Sequence, residues 1–125
     1  MWPSEGQGGS CVADCLFCGI VKGEIPSEKV YEDDRVLAFK DINPVAPVHV
    51  LLIPKEHHRD VIEAADRDPA VLGHLFTVAS KLAKELGLSE KGFRVVNNFG
   101  KDGGQTVFHL HFHLIGGRQL TWPPG

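Results

Sequence analysis

Three histidines alternate with bulky apolar residues near the C-terminus, in the segment "TVFHLHFHLIGG". Because strand side chains point alternately to two faces, a β-strand here would place His109, His111 and His113 on one face. The aromatic and β-branched content of the segment favours a strand over a helix. Three imidazoles on one surface could bind a catalytic zinc ion, or could serve as nucleophile and proton carriers, since imidazole titrates near neutrality. The plain alternative is a half-buried strand whose polar face uses imidazoles.

A glycine-containing loop, "GKDGGQT", comes directly before these histidines. Gly103 and Gly104 can turn successive N–H groups toward an anion, and Gln105 and the Thr106 hydroxyl follow at once. An anion-binding loop beside a row of histidines favours phosphoryl chemistry over carbonyl hydration. A Gly-Gly pair is more often a simple hairpin turn, so the two interpretations stay open here.

The three cysteines, Cys11, Cys15 and Cys18, are crowded at one end of the chain. An odd number in one cluster does not predict a disulfide framework. "CLFC" places Cys15 and Cys18 at the two-residue spacing typical of half a zinc site. The alternative is that both thiols are small buried hydrophobic groups in a reducing compartment. Cys11 fits neither scheme.

The composition indicates one globular domain in 125 residues. The formal net charge of −3 and the absence of a basic run argue against nucleic-acid binding. No apolar stretch approaches membrane-spanning length, and the first residues do not resemble a secretory signal. We therefore expect a cytoplasmic protein with no membrane partner.

The elements that must position the histidines are predicted from local patterns. Residues 1–14 are rich in Gly, Ser and Pro and predict a flexible tail, so the domain is expected over 15–125. The segment after Cys15 predicts a short helix ending at Gly23, and "KVYEDDRVLAFKDI" predicts a hairpin. "VHVLLIP" predicts a strand buried on both faces, "KEHHRDVIEAA" the start of a short helix, and "FRVVNN" a further strand.

The strongest helical pattern is "DPAVLGHLFTVASKLAKELGL", with Asp68 placed to cap, Pro69 at the first position and Gly87 at the end. The final strand is expected over 106–115, with its apolar face formed by Phe108, Leu110, Phe112 and Leu114. Together the elements predict an α+β domain with a mainly antiparallel sheet of about five strands, one long helix and one or two short helices.

The segment "HLHFHLI" resembles the signature of the histidine triad (HIT) superfamily, His-φ-His-φ-His-φ-φ, where φ is apolar. The resemblance runs from about Cys15 to Gly125 and includes "GEIPSEKVYEDDRVLAFKDINPVAPVHVLLIPKEH", "DGGQTVFHLHFHLIGGRQ" and "WPPG". The last motif is similar to the Hint branch, the histidine triad nucleotide-binding proteins. That resemblance implies a homodimer that hydrolyses purine nucleoside phosphoramidates and releases AMP or GMP.

The resemblance also implies roles for individual residues. His111 would be the nucleophile that forms a covalent nucleotidyl-histidine, His113 would stabilise the phosphate, His109 would support them, and His49 would assist proton transfer. Asp41 would bind the ribose hydroxyls. The remaining nucleotide contacts would be Phe17, Ile20, Phe39 and Ile42 around the purine, Asn98, Gly104, Gln105 and Thr106 at the phosphate, and Trp122 toward the partner subunit's site. The family is expected to carry a serine at the position of Thr106.

Bacterial HIT proteins resemble this chain in the cysteine pair, which implies a structural zinc ion bound by Cys15, Cys18, His57 and His109. His58 is adjacent and stays open as the ligand in place of His57. No catalytic metal is expected. Three other functions remain in competition: a nucleotidyl transferase of the same superfamily, a nucleotide-binding or scaffold protein with incidental turnover, and a metal hydrolase that uses the three histidines as ligands.

Overall fold

The fold is a five-stranded sheet with helices packed on both faces. A computed structural model describes residues 11–12 and 14–125. In chain order the elements are α1 (Leu16–Val21), β1 (Lys29–Glu32), β2 (Val36–Lys40), β3 (Val48–Pro54), α2 (Val61–Arg67), α3 (Pro69–Glu85), β4 (Phe93–Val96) and β5 (Phe112–Gly116). The strand order is β1-β2-β3-β5-β4, and every neighbouring pair is antiparallel. The predicted α+β architecture, with one long and two short helices, is confirmed.

Strand β3 lies at the centre and is buried on both faces, as its near-continuous apolar sequence predicts. On one face Val50 and Leu52 join the core beneath α3. On the other face Leu51 and Ile53 join a smaller core beneath α1. The antiparallel register pairs Leu51 with His113 and His49 with Ile115, so β3 and β5 bring the polar groups of two distant segments together.

Helix α3 buries one face, formed by Val71, Leu75, Val78, Ala79, Leu82 and Ala83. Pro69 begins the helix as predicted, because its missing N–H is not needed in the first turn. Asp68 occupies the capping position, but its side chain makes no capping hydrogen bond. Its carboxylate instead pairs with Arg35. Among the described residues, no helix combines the length and hydrophobicity needed to cross a bilayer.

The last strand is shorter than predicted. It begins at Phe112, and residues 106–111 form an irregular segment. The backbone N–H of Leu110 donates to the His58 carbonyl at 2.7 Å, so the chain is held by the β3–α2 connection there rather than by a strand. Leu110, Phe112 and Leu114 are buried as predicted, but Phe108 is 54% exposed. The prediction that Phe108 belongs to the apolar face is wrong, because the strand, and with it the alternation of side chains, begins only at Phe112.

Residues on the N-terminal side of α1 contact the end of β3 and the α1 cysteines. Of the predicted tail, residues 1–10 and 13 lie outside the described residues. The Cys11 thiol donates to the Lys55 carbonyl at 3.3 Å, and the Val12 N–H donates to Cys18 Sγ at 3.2 Å. Cys11 thus lies beside the cysteine pair, which the sequence pattern did not predict.

Candidate functional site

A cavity of about 520 Å³ opens between α1, the β2–β3 connection and the segment that precedes β5. Its volume is within the usual range for sites that bind small molecules. Many of the predicted site residues line it, namely Phe17, Ile20, Phe39, Asp41, Ile42, His49, Thr106, His111 and His113. Val107 also lines it and was not predicted, because an isolated valine beside a glycine loop carries no signal.

The tautomer of His111 is fixed by its backbone neighbour. Its Nδ1 lies 2.8 Å from the carbonyl oxygen of His109, and a carbonyl only accepts, so Nδ1 carries the proton. In the neutral ring the lone pair is therefore on Nε2. The Phe17 ring packs edge-on against this imidazole, with ring centroids 5.1 Å apart. Asn97 Nδ2 donates to the His111 carbonyl at 3.0 Å and holds the backbone of this residue. His111 thus presents an unprotonated nitrogen on a rigid support.

His49 and His113 form a hydrogen-bonded pair across β3 and β5. The N–H of Val45 donates to His49 Nδ1 at 3.2 Å, so the neutral His49 ring carries its proton on Nε2. That nitrogen lies 2.9 Å from His113 Nδ1 and 3.4 Å from Asp41 Oδ2. His113 Nδ1 therefore accepts, and its own proton is on Nε2. The pair gives the cavity an N–H donor connected through His49 to a carboxylate.

Burial keeps these imidazoles neutral. It lowers the pKa of His111 below its usual range, although the hydrogen bond to the His109 carbonyl acts in the opposite direction. Burial, together with the neighbouring His111 and His49, lowers the pKa of His113 to about 4. Burial also lowers the pKa of His49, against the opposing effect of Asp41. A ring that is neutral near pH 7 retains the lone pair that a nucleophile requires.

Asp41 directly follows β2, and its two carboxylate oxygens make different contacts. Oδ1 accepts from the Asn43 N–H at 2.8 Å, while Oδ2 approaches His49. The apolar part of the cavity combines the buried Phe17, Ile20 and Phe39 with Ile42, which is 89% exposed. Phe17 and Phe39 pack edge to face at 5.6 Å. A planar base could enter between this buried wall and the exposed Ile42.

The glycine loop contributes less to the cavity than predicted. Among its residues only Thr106 lines the cavity. The buried Gln105 side chain is instead engaged by the backbone, since Oε1 accepts from the Gly100 N–H at 3.0 Å and Nε2 donates to the carbonyls of Arg59 and Val107.

Asn98 and Gly104 do not line this cavity either. Asn98 Nδ2 donates to the Gly103 carbonyl at 2.7 Å, and Gly104 adopts a positive φ of 79°. A Cβ on Gly103 would lie 2.2 Å from the Phe99 carbonyl oxygen, so the first glycine of the pair is required by close backbone approach. The loop is a tight turn that sets the position of Thr106.

Two cysteines and two histidines lie close together at the N-terminal end of α1. One ligand atom from each of Cys15, Cys18, His57 and His109 lies within 4.8 Å of all the others. The His109 Nδ1 lies 3.4 Å from Cys15 Sγ and 3.6 Å from Cys18 Sγ, and His57 Nδ1 lies 3.5 Å from Cys18 Sγ. In a tetrahedral zinc site with ordinary bond lengths, sulfur and nitrogen ligands are about 3.6 Å apart. The spacing therefore fits a zinc ion.

The protonation of the cluster is also suited to a metal. His109 Nε2 donates to the Pro54 carbonyl at 2.8 Å, which leaves the lone pair on Nδ1, toward the thiols. The hydrogen bond with Cys18 lowers the pKa of the Cys15 thiol, and the same contact raises the pKa of Cys18. His58 points elsewhere and is not a member of the group, so the structure places His57 with the cysteines.

Trp122 does not line the cavity of its own chain. Its side chain is 80% exposed, near the C-terminus and outside any helix or strand. Nothing within the described residues brings it to the histidines. A tryptophan this exposed is available to another molecule.

Sequence comparison relates the chain to several proteins of similar length. A model of the HIT domain family matches residues 22–120. An uncharacterized HIT-like protein from Synechocystis is 54% identical over 112 residues, which cover 90% of this chain and 97% of that protein. A 14 kDa zinc-binding protein from Zea mays is 53% identical over 112 residues, covering 88% and 87% of the two chains.

Comparison with solved structures supports the same family relationship. A HIT family hydrolase from Legionella pneumophila has a TM-score of 0.87 and 52% identity, and the match covers 90% of this chain and all of that one. A histidine triad protein from Clostridium difficile has a TM-score of 0.86 and 53% identity, covering 89% and 96%. The resemblance predicted from the histidine motif is confirmed: the chain belongs to the HIT domain family.

Proposed function

We propose that the protein hydrolyses purine nucleoside phosphoramidates through a covalent nucleotidyl-histidine intermediate. The observation that carries the proposal is the fixed tautomer of His111, whose Nδ1 is bound to a backbone carbonyl and whose Nε2 retains a lone pair. A structure of a HIT family hydrolase superposes closely on the chain, which supports a hydrolytic reaction.

The first step would break the P–N bond. His111 Nε2 attacks the α-phosphorus, the P–N electron pair leaves with the amine, and a covalent N–P bond to the ring forms. The ring becomes positively charged, and its Nδ1–H remains bound to the His109 carbonyl, which stabilises that charge. The Nε2–H of His113 donates to a phosphoryl oxygen, while the hydrogen-bonded His49–His113 pair relays a proton from solvent to the departing amine.

The second step would restore the enzyme. Water attacks the same phosphorus, the N–P bond breaks, AMP or GMP leaves, and the proton lost by water passes to solvent through the His49–His113 pair. Asp41 would accept the ribose hydroxyls, a role supported by the position of its carboxylate in the cavity wall beside His49. The purine would lie against Phe17, Ile20 and Phe39, with Ile42 covering its outer face.

Zinc belongs to this proposal as a structural ion. Cys15, Cys18, His57 and His109 would hold it in a closed four-ligand site, which anchors α1 and orients His109. The zinc-binding relatives from Zea mays and Brassica juncea support this assignment. The reduced thiols that such a site needs are also the basis for placing the protein in the cytoplasm.

We include a homodimer in the proposal. Strand β4 lies at the edge of the sheet, where its outer backbone groups have no strand neighbour among the described residues. Phe93 on that strand is 41% exposed, and Trp122 is 80% exposed. Pairing of two copies would give Trp122 a site to reach in the partner subunit.

The decisive experiment compares H111N with the parent protein on a fluorogenic adenosine 5′-phosphoramidate. We expect kcat/KM to fall by about 10³-fold or more while the Kd for AMP changes by less than about tenfold. Rapid quench followed by intact-mass analysis should detect one nucleotidyl group on the parent protein and none on H111N. The control is H74N, because His74 lies on α3 and contacts Asp33 outside the cavity.

Full turnover by H111N, or the absence of an adduct during steady-state turnover, would contradict the proposal. Adduct formation followed by transfer to a nucleophile other than water would identify a transferase instead.

A further inference from the structure

A buried histidine outside the nucleotide cavity has no hydrogen-bond partner. The side chain of His58 is 2% exposed, and neither of its ring nitrogens makes a hydrogen bond within the described part of the chain. Buried polar side chains nearly always have a partner, so an imidazole without one indicates a missing neighbour. His58 does not belong to the Cys/His cluster, which uses His57.

Two carboxylates face this ring. A nitrogen of His58 and one oxygen each of Glu56 and Asp68 all lie within 4.8 Å of one another. His58 Nε2 lies 3.9 Å from Glu56 Oε1, which is too long for a hydrogen bond. The space between the three groups is therefore not closed by direct bonds.

The Asp68 carboxylate is turned toward this space rather than toward its own helix. It occupies the capping position of α3 without accepting a hydrogen bond from the helix. Its Oδ2 is held by Arg35, and its second oxygen accepts no hydrogen bond from the residues that the structure describes. Carboxylates that bind metals are commonly oriented by such a neighbouring donor.

We propose that Glu56, His58 and Asp68 form a second metal site, for a divalent first-row transition ion bound by one imidazole and two carboxylates. Ligand atoms about 2.1 Å from a tetrahedral ion are roughly 3.4 Å apart, so the three groups need only a small contraction around it. The Glu56 side chain is 64% exposed and can supply most of that movement. Water would complete the coordination.

The position of the site links it to the histidine segment. The His58 carbonyl accepts from the Leu110 N–H at 2.7 Å, and Leu110 lies between His109 and His111. An ion at His58 would therefore fix the backbone that carries the proposed nucleophile. The adjacent His57 faces the cysteines, so two consecutive residues would serve two separate metal sites.

The test uses the zinc-loaded protein and Co²⁺ as the probe. After equilibrium dialysis, elemental analysis should find two metal ions per chain in the parent protein. E56Q should weaken binding of the second ion at least tenfold, and H58L and D68N should retain one ion. Because Glu56 is exposed, E56Q tests the site without threatening the fold. E90Q, which removes an exposed carboxylate between α3 and β4, is the matched control and should bind two ions.

Absorption identifies where the second ion binds. Co²⁺ at the proposed site has no sulfur ligand, so it should add weak visible bands without the near-ultraviolet thiolate band of a cysteine site. A single ion per chain in the parent protein would overturn the proposal. It would also be overturned if the second ion persisted in both E56Q and H58L, or if H113Q removed it while H58L did not, because Asp41, His49 and His113 form a competing group.

Discussion

Substitution of Gln105 in the glycine loop tests whether this residue stabilises the fold or binds the substrate. Gln105 is 8% exposed and makes three hydrogen bonds to the backbone. Q105A would leave one N–H and two carbonyls without their partner, and each lost bond costs about 1 kcal/mol, more where water cannot enter. We therefore expect the free energy of unfolding to fall by about 3 kcal/mol and Tm to fall by roughly 10 °C.

The assay is urea unfolding followed by circular dichroism at a fixed protein concentration, with phosphoramidate kinetics well below Tm. Two variants act as controls. Q119A alters an exposed glutamine and should change stability by less than about 0.5 kcal/mol. Q105E keeps the acceptor for Gly100 but places an oxygen opposite the carbonyls of Arg59 and Val107, so it should be at least as unstable as Q105A near pH 7.

A Q105A protein that unfolded with the stability of the parent protein while its KM rose tenfold or more would refute the structural role of Gln105. That result would place the amide on the substrate phosphate, as the family resemblance implies, and would mean that the loop is held by other bonds. A loss of stability with a small change in KM supports the structural role.

Three further predictions concern the metal and the pH dependence. At a free zinc concentration of about 1,000 Kd, zinc binding should stabilise the protein by about 4 kcal/mol, so removing zinc with a chelator should lower Tm by roughly 15 °C. The C18S variant should show no such difference. An unchanged Tm of the parent protein would contradict the zinc site. The acid limb of kcat/KM should lie below pH 6.5, because burial lowers the pKa of His111 and lowers that of His113 to about 4. Between about pH 6.5 and pH 4 the unfolded chain binds more protons at His113 than the folded chain, because the folded-state pKa is lowered to about 4. The free energy of unfolding of the parent protein should therefore decline as the pH falls, and the decline should be smaller in H113Q.

Long periodic elements could be predicted from sequence because burial imposes their pattern. The face of α3 that contains Leu75 and Leu82 repeats at helical spacing, and it is buried as expected. The start of β5 could not be predicted. Alternating residues from Phe108 onward fit a strand, but the Leu110 N–H bonds to the His58 carbonyl, which lies 52 positions earlier. Such long-range competition leaves no local signal.

Some contacts of the candidate site could likewise be predicted from the sequence, and others could not. The side chains of His49 and His113 meet because β3 and β5 are neighbours, and a resemblance to a known motif anticipated that contact. The assignment of His57 rather than His58 to the cysteines depends on the direction of each side chain after β3, which two adjacent identical residues cannot reveal. Asn97, which holds the His111 carbonyl, was missed in favour of Asn98 for the same reason.

Helix α1 has only six residues, yet it serves two neighbours at once. Cys18 belongs to the thiol–imidazole cluster, while Phe17 and Ile20 line the cavity that contains His111. Such a short helix has little intrinsic stability, so whatever steadies one side steadies the other. If zinc binding raises the affinity of the cavity for a ligand, thermodynamic reciprocity requires that this ligand raise the affinity for zinc by the same factor.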